Sequence, residues 1–209
     1  DFFLFLKQNV KGSDVLDYGC GIGTFVEKII NYKPNKVYGI DISEVSINKA
    51  KTKANDLKIN VDFSVDNCEK TKFDNNSFDV VYGTGILHHL QFNKCLDEIH
   101  RILKPNGSIV FVEPLGTNPL INIYRKLTPN SRSKDEHPLI KEDFDYIKGK
   151  FASTKIKYYG FLTLIFFPFY KDPIESKTFK LLSRLDQVLF KFNFFKLLAW
   201  SVLITAAKN

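Results

Sequence analysis

The chain has 209 residues, 44% hydrophobic and 25% charged, with a formal net charge of +7. That length fits one α/β domain with a modest elaboration, and the apolar content excludes a disordered chain. No run of 18 apolar residues occurs, which excludes a spanning helix, and the 30 Lys and Arg are spread without a long basic run, so charge alone does not indicate nucleic acid or an anionic membrane.

In chain order, Asp14–Tyr18 (DVLDY) is an apolar run ending in a glycine cluster, the pattern of a buried strand. Residues 25–32 place Phe25, Val26, Ile29 and Ile30 at helical spacing. Lys36–Asp41 (KVYGID) reads as a second strand, and Ser43 as the N-cap of a helix carrying Val45, Ile47 and Ala50. Val61, Phe63 and Val65 alternate as in a third strand. Residues 78–82 (FDVVY) form a fourth after the turn-rich 74–77. Leu96, Ile99 and Leu103 make one helical face that stops before Pro105, and residues 108–113 (SIVFVE) form a fifth strand. The rhythm then changes. Residues 114–138 predict a loop with a short helix near 120–127, followed by a helix over 139–148 and a strand over 155–167. An amphipathic helix over 174–190 and a final strand over 200–206 complete the chain. Strands separated by helices imply parallel βαβ units in a doubly wound sheet, which binds ligands beyond the carboxyl ends of its strands.

Cys20, Cys68 and Cys95 are unclustered and form no CxxC pair, so neither a disulfide framework nor a metal site is expected. Reduced thiols and the lack of a signal-peptide pattern fit a cytoplasmic protein. The chain contains no Met and begins at Asp1 in mid-pattern, which reads as a sequence lacking its natural start.

The strongest signal is VLDYGCGIGTF, residues 15–25. Gly19, Gly21 and Gly23 follow a strand and precede a helix, where backbone without Cβ atoms can turn sharply and lie against a ligand. A dinucleotide fingerprint needs glycine at its first, third and sixth positions, and here the sixth is Thr24. Asp17 stands two residues before the first glycine, where it would repel a pyrophosphate but suits an α-amino group. Asp41 ends the second strand 22 residues after Gly19, a place from which a carboxylate can accept both ribose hydroxyls or cap the next helix.

VLDYGCGIGTF, VYGIDIS, FDVVYGTGILHHL and LDEIHRILKPNGSIVFVEP resemble, in order, the motifs of class I S-adenosylmethionine-dependent methyltransferases. The similarity covers residues 13–114 and points to the small-molecule branch that includes ubiquinone/menaquinone C-methyltransferases. EPLGTNPLINIYRKLTP and DEHPL resemble a bacterial branch more loosely. The resemblance implies an α/β, Rossmann-like, mostly parallel seven-stranded sheet whose last strand is antiparallel, with a helical insertion at about 166–196 before it. Residues 1–114 would be the cofactor half and 115–209 the acceptor half of a single domain.

It further implies S-adenosylmethionine as cofactor, leaving S-adenosylhomocysteine as product. Asp17, Gly19 and Gly21 would lie beside the amino-acid half, with Cys20 and Gly23 also among the cofactor-binding residues. Asp41 would hold the ribose, and Ile42 would lie on one adenine face. The third strand of the family leads to an acidic residue and then a small one at the adenine edge. Here Asn67 takes the acidic position and Cys68 the small one, a departure that leaves Asp66 as a substitute. Gly83 and Thr84, with Gly85, would leave room for the methyl group to meet its acceptor, a step that needs proximity and orientation more than acid or base.

Four residues are candidates for a base if the acceptor must lose a proton: His88, His89, Glu113 and His137. Each has a plain alternative. One histidine of the pair can pack at a helix start while the other bonds backbone, Glu113 can cap a turn, and Asp135, Glu136 and His137 can form a solvated turn. His100 reads as structural. Residues 161–170 (FLTLIFFPFY) and 189–200 concentrate aromatics, which suits a lid over an apolar or amphipathic acceptor, a dimer surface, a peripheral membrane contact, or simple packing on the core. The expected partner is a small-molecule acceptor. Nucleic acid is disfavoured, since neither Asn-Pro-Pro-Tyr nor a Pro-Cys nucleophile is present. A methyltransferase-like binding module without turnover, an RNA methyltransferase and an NAD-dependent oxidoreductase are the alternatives.

Overall fold

A computed structural model describes residues 1–128, 136–166 and 176–209. The aromatic residues at 167–170, Asp135 and the start of the expected helix at Ile174 lie outside them. Seven strands, β1 (Asp14–Tyr18), β2 (Lys36–Asp41), β3 (Asp62–Val65), β4 (Phe78–Thr84), β5 (Leu103–Pro114), β6 (Ala152–Tyr159) and β7 (Ser201–Ala207), form one sheet in the order β3-β2-β1-β4-β5-β7-β6. The first five run parallel, and β7 runs antiparallel between β5 and β6. This is the predicted architecture, with the last strand in the predicted place.

Period-two alternation explains how the sheet is covered. Leu16, Tyr18, Val81, Ile109 and Phe111 point to one face, and Val15, Val80, Tyr82, Val110 and Leu203 to the other. The first face carries α4 (Phe92–Ile102), whose Leu96, Ile99 and Ile102 are fully buried, and α6 (Lys141–Lys150) through Phe144 and Ile147, with the short α5 (Pro119–Leu127) between them in the chain. The second face carries α2 (Val26–Ile30), α3 (Glu44–Asp56) and α1 (Phe2–Asn9). Ser43 caps α3 as expected, its hydroxyl accepting the Ser46 N–H at 3.2 Å. The N-terminal helix was not anticipated. It buries Leu6 and stacks Phe2 edge-on against Tyr82 and Phe25, so it covers the sheet beside the glycine loop.

Two expected boundaries are corrected. The sixth strand stops at Tyr159 rather than running to 167, because Gly160 at φ +79° turns the chain over Trp200 and α7 (Leu162–Ile165) follows. The fifth strand begins at Leu103, five residues before the expected start, because Leu103 pairs with Phe78 before the register shifts to Val80↔Ser108.

The insertion before β7 holds α7, α8 (Lys177–Leu189) and α9 (Asn193–Lys196). Its anchor is polar. Asp186 on α8 is 1% exposed and accepts the Leu162 and Thr163 amides and the Thr163 hydroxyl at the start of α7. Phe190 is buried in the core and Phe161 and Phe195 pack against it, whereas Phe192, Phe194, Leu197 and Trp200 stay exposed, so core packing takes up only part of this apolar segment.

Candidate active site at the strand ends

The carboxyl ends of β1, β2 and β4 converge around the glycine loop. Gly19, Gly21 and Gly23 all have positive φ, conformations that L side chains rarely adopt. A Cβ at Gly21 would project into space with no atom within 4 Å, whereas one at Gly19 would meet Ile86 Cγ1 at 2.4 Å. The loop is therefore open over Gly21 and closed over Gly19 by the Ile86 side chain. Cys20 is buried under the loop, its amide donating to Ile40 O at 2.8 Å. Burial raises its thiol pKa, as it raises that of Cys68 to about 12. Both thiols are fillers here rather than nucleophiles.

Asp17 is 4% exposed, and burial, helped by the nearby Asp41, lifts its carboxyl from 3.8 to about 7. The partial offset comes from Tyr82, its neighbour across β1–β4, whose buried hydroxyl lies beside it without a hydrogen bond of normal geometry. A buried acid next to an orphaned hydroxyl is an unsatisfied polar pair.

Asp41 receives the Gly21 amide on one carboxylate oxygen and the Ser43 amide on the other, each at 2.9 Å. It thus ties the glycine loop to the start of α3, and each oxygen keeps lone pairs toward solvent. Ile42 follows it and is 75% exposed, an apolar surface next to a polar strand end. Asp66 is buried and accepts the Asn67 and Lys72 amides at 2.9 Å, which makes it the organiser of the loop after β3. Asn67 is exposed at the rim, its side-chain oxygen taking the Glu69 amide at 2.8 Å. Cys68 is buried, and its carbonyl accepts the Tyr18 hydroxyl. Asp66 is thus turned into the loop and buried, whereas Asn67 beside it is exposed.

At the end of β4, Gly83 is packed beneath Phe111 and Ile86, while Thr84 is half-buried. Leu87–His89 then form one 3-10 turn. Glu113, 1% exposed at the end of β5, holds that turn. Its carboxylate accepts the Ile86 and Leu87 amides at 2.9 Å and pairs with His88 Nδ1 at 2.7 Å. The carboxylate therefore caps the turn that precedes it in the chain, not the turn that follows β5. His88 is buried on that carboxylate and not on backbone. His89 stacks on it with ring centroids 4.0 Å apart, and partial burial and the His88 neighbour hold its pKa below the usual range. His137 joins the cluster through backbone, its amide donating to His88 O at 2.7 Å, while its ring faces Asp143 at 3.1 Å. His100 lies apart, edge-on to Phe151.

A cavity of about 360 Å³ lies where β6 ends and β7 begins, beside the end of β5, lined among others by Tyr159, Leu164, Phe179, Gln187 and Trp200. A larger hollow of about 720 Å³ runs along α3 between Glu27 and Leu57. It is an open trough away from the strand ends and holds none of the groups above.

Residues 15–107 match a family described as a methyltransferase domain. The chain is 36% identical over 121 residues to the ubiquinone/menaquinone biosynthesis C-methyltransferase of Rickettsia prowazekii, covering 54% of this chain and 48% of that protein. It is 34% identical over 120 residues to phosphoethanolamine N-methyltransferase 3 of Arabidopsis thaliana, covering 55% of this chain and 24% of that one. The chain thus spans a quarter to a half of the length of these curated relatives. Among solved structures it resembles a geranyl diphosphate methyltransferase in complex with S-adenosylmethionine, with a TM-score of 0.72 and 18% identity, covering 99% of this chain and 84% of that one.

Proposed function

We propose, from the match of residues 15–107 to a methyltransferase domain, that the chain is a class I S-adenosylmethionine-dependent methyltransferase that binds this cofactor across the ends of β1, β2 and β4 and methylates a small acceptor with an apolar body. The observation that carries the reading is the buried Asp17 carboxylate beside the orphaned Tyr82 hydroxyl, under a glycine backbone open at Gly21. An α-ammonium group placed there would neutralise the one and pair with the other. The same carboxylate would repel a pyrophosphate, which disfavours a dinucleotide.

In this reading Asp41 holds the ribose hydroxyls, Ile42 lies on the adenine, and Asn67 meets the adenine edge. Bound S-adenosylmethionine supplies an electrophilic methyl on a sulfonium, which departs as a neutral thioether. The residues of this chain bind, orient and exclude water, and that suffices for an in-line displacement. Glu113 and His88 hold the 3-10 turn that frames the acceptor side. The relatives' names specify carbon and nitrogen acceptors of different kinds, so the acceptor does not follow from them. For the acceptor, the apolar cavity by Leu164, Phe179 and Trp200 is the supporting feature, its volume being that of a small-ligand pocket.

The test is equilibrium binding of S-adenosylhomocysteine to the Asp41→Ala variant. Loss of a charged hydrogen bond is expected to cost about 1.5–3 kcal/mol, roughly a tenfold to 150-fold weaker affinity. Asp41→Asn, which keeps one acceptor oxygen for the loop amides, should lose less. Unchanged affinity in the alanine variant would place the ribose elsewhere.

A further inference from the structure

We propose that His88, His89 and Glu136 form a binding site for a divalent transition-metal ion of the zinc type, beside the ends of β4 and β5. One ligand atom from each of the three side chains lies within 4.8 Å of the other two. The site is built rather than gathered by chance on a surface. His88 is fixed by the Glu113 carboxylate on Nδ1 at 2.7 Å, which leaves Nε2 as the nitrogen it presents. A histidine whose second nitrogen is held by a carboxylate is the usual arrangement behind a metal-binding imidazole, because the carboxylate sets the tautomer and raises the basicity of the ligating nitrogen.

Glu136 comes from 48 residues further along the chain and is brought there by backbone. The His137 amide donates to His88 O at 2.7 Å. The Leu139 amide donates to Pro114 O at 3.0 Å, and the Gly116 amide to Leu139 O at 2.8 Å. Gly116 lies so close to Pro138 that a Cβ there would meet its carbonyl oxygen at 2.7 Å. The segment after residue 136 is therefore clipped to the end of β5, next to the turn that Glu113 caps. His88 Cε1 is 3.7 Å from where a Cβ of Gly85 would stand, which puts the cluster beside the end of β4.

The donor set selects the ion. Two imidazoles and one carboxylate suit zinc, cobalt or nickel, whereas magnesium and calcium favour all-oxygen shells. Ligand atoms around a tetrahedral zinc stand about 3.3 Å apart. Closing the site from separations of up to 4.8 Å therefore needs inward shifts of up to about 1.5 Å from the exposed His89 and half-buried Glu136 while His88 stays fixed. Three protein ligands leave a fourth position for water or an oxygen of a bound molecule, as open zinc sites do. The metal site does not rest on the methyl-transfer reading.

The experiment uses the whole chain, dialysed against a chelator and then titrated with Co²⁺ while visible absorption is followed. One equivalent should saturate a ligand-field band with micromolar affinity, and Zn²⁺ should displace it. His89→Ala and Glu136→Gln, each checked for folding by circular dichroism, should weaken Co²⁺ by about tenfold or more. His100→Ala, remote from the cluster, should leave it unchanged. No saturable band, or equal affinity in the His89 and Glu136 variants and the parent, overturns the site. S-adenosylhomocysteine binding measured on the same samples separates this failure from a failure of the cofactor reading.

Discussion

Replacing Glu113 with alanine is expected to lower stability by roughly 3–5 kcal/mol, enough to unfold much of the protein, because it strips a buried charge network of its acceptor. Glu113 lies almost wholly buried and takes the Ile86 and Leu87 amides and the His88 ring. Truncation would leave those buried donors without their acceptor. Glu113→Gln keeps one acceptor but turns an NH₂ toward donors, so a smaller loss is expected. Urea denaturation measures both. A residue serving only as an acceptor-side base would behave otherwise, and an alanine variant within about 1 kcal/mol of the parent would remove the capping role.

Asp17→Asn is expected to move two properties in opposite directions. S-Adenosylhomocysteine affinity should fall about a hundredfold or more, the cost of removing one partner of a desolvated ion pair, near 3 kcal/mol. Stability of the ligand-free protein at pH 8 should rise. The Asp17 carboxyl is lifted from 3.8 to about 7, so its neutral form is the one the fold accommodates. The stability linked to that form is complete below about pH 4 and is lost as pH climbs through 7, where the buried group must ionise. The full difference is about 4 kcal/mol, of which an amide with imperfect partners should recover about half or more. That corresponds to roughly 4–12 °C in Tm for a chain of this size, shrinking as the pH is lowered. Calorimetric melts at pH 8 and pH 4 check the sign. A variant that melts lower at pH 8 would show that Asp17 is already paired in the free protein.

The alternation of strands and helices up to residue 114 was legible in sequence because its signals are local. Alternation in Val15–Tyr18 and 78–82, glycines after a strand and a serine before a helical pattern each report on neighbours within a few residues. The departures are tertiary. Gly160 was visible, but the apolar run after it has β-strand composition, and only the packing of Trp200 over that glycine shows why the strand must stop. Leu103 pairs with Phe78 across Pro105 and Asn106, residues that read as a stop signal. Among the candidate site residues, Asp17 and Asp41 were singled out by their spacing to the glycines. The grip of Glu113 on the turn 27 residues earlier, and the arrival of Glu136 beside His88, depend on backbone contacts between distant segments and carry no sequence periodicity. Cysteine and histidine spacing gave no metal signal for the same reason, since two of the three ligands are adjacent and the third is non-local.

The most direct test of the cofactor reading is calorimetric titration of the purified chain at pH 8 with S-adenosylhomocysteine, with NAD as the comparison ligand. One-to-one micromolar binding of S-adenosylhomocysteine, with no heat from NAD, is the predicted result, and it should carry a proton release when repeated near pH 6.5, as the ligand's ammonium group forces Asp17 to ionise. Binding of NAD without binding of S-adenosylhomocysteine would contradict the account at its centre.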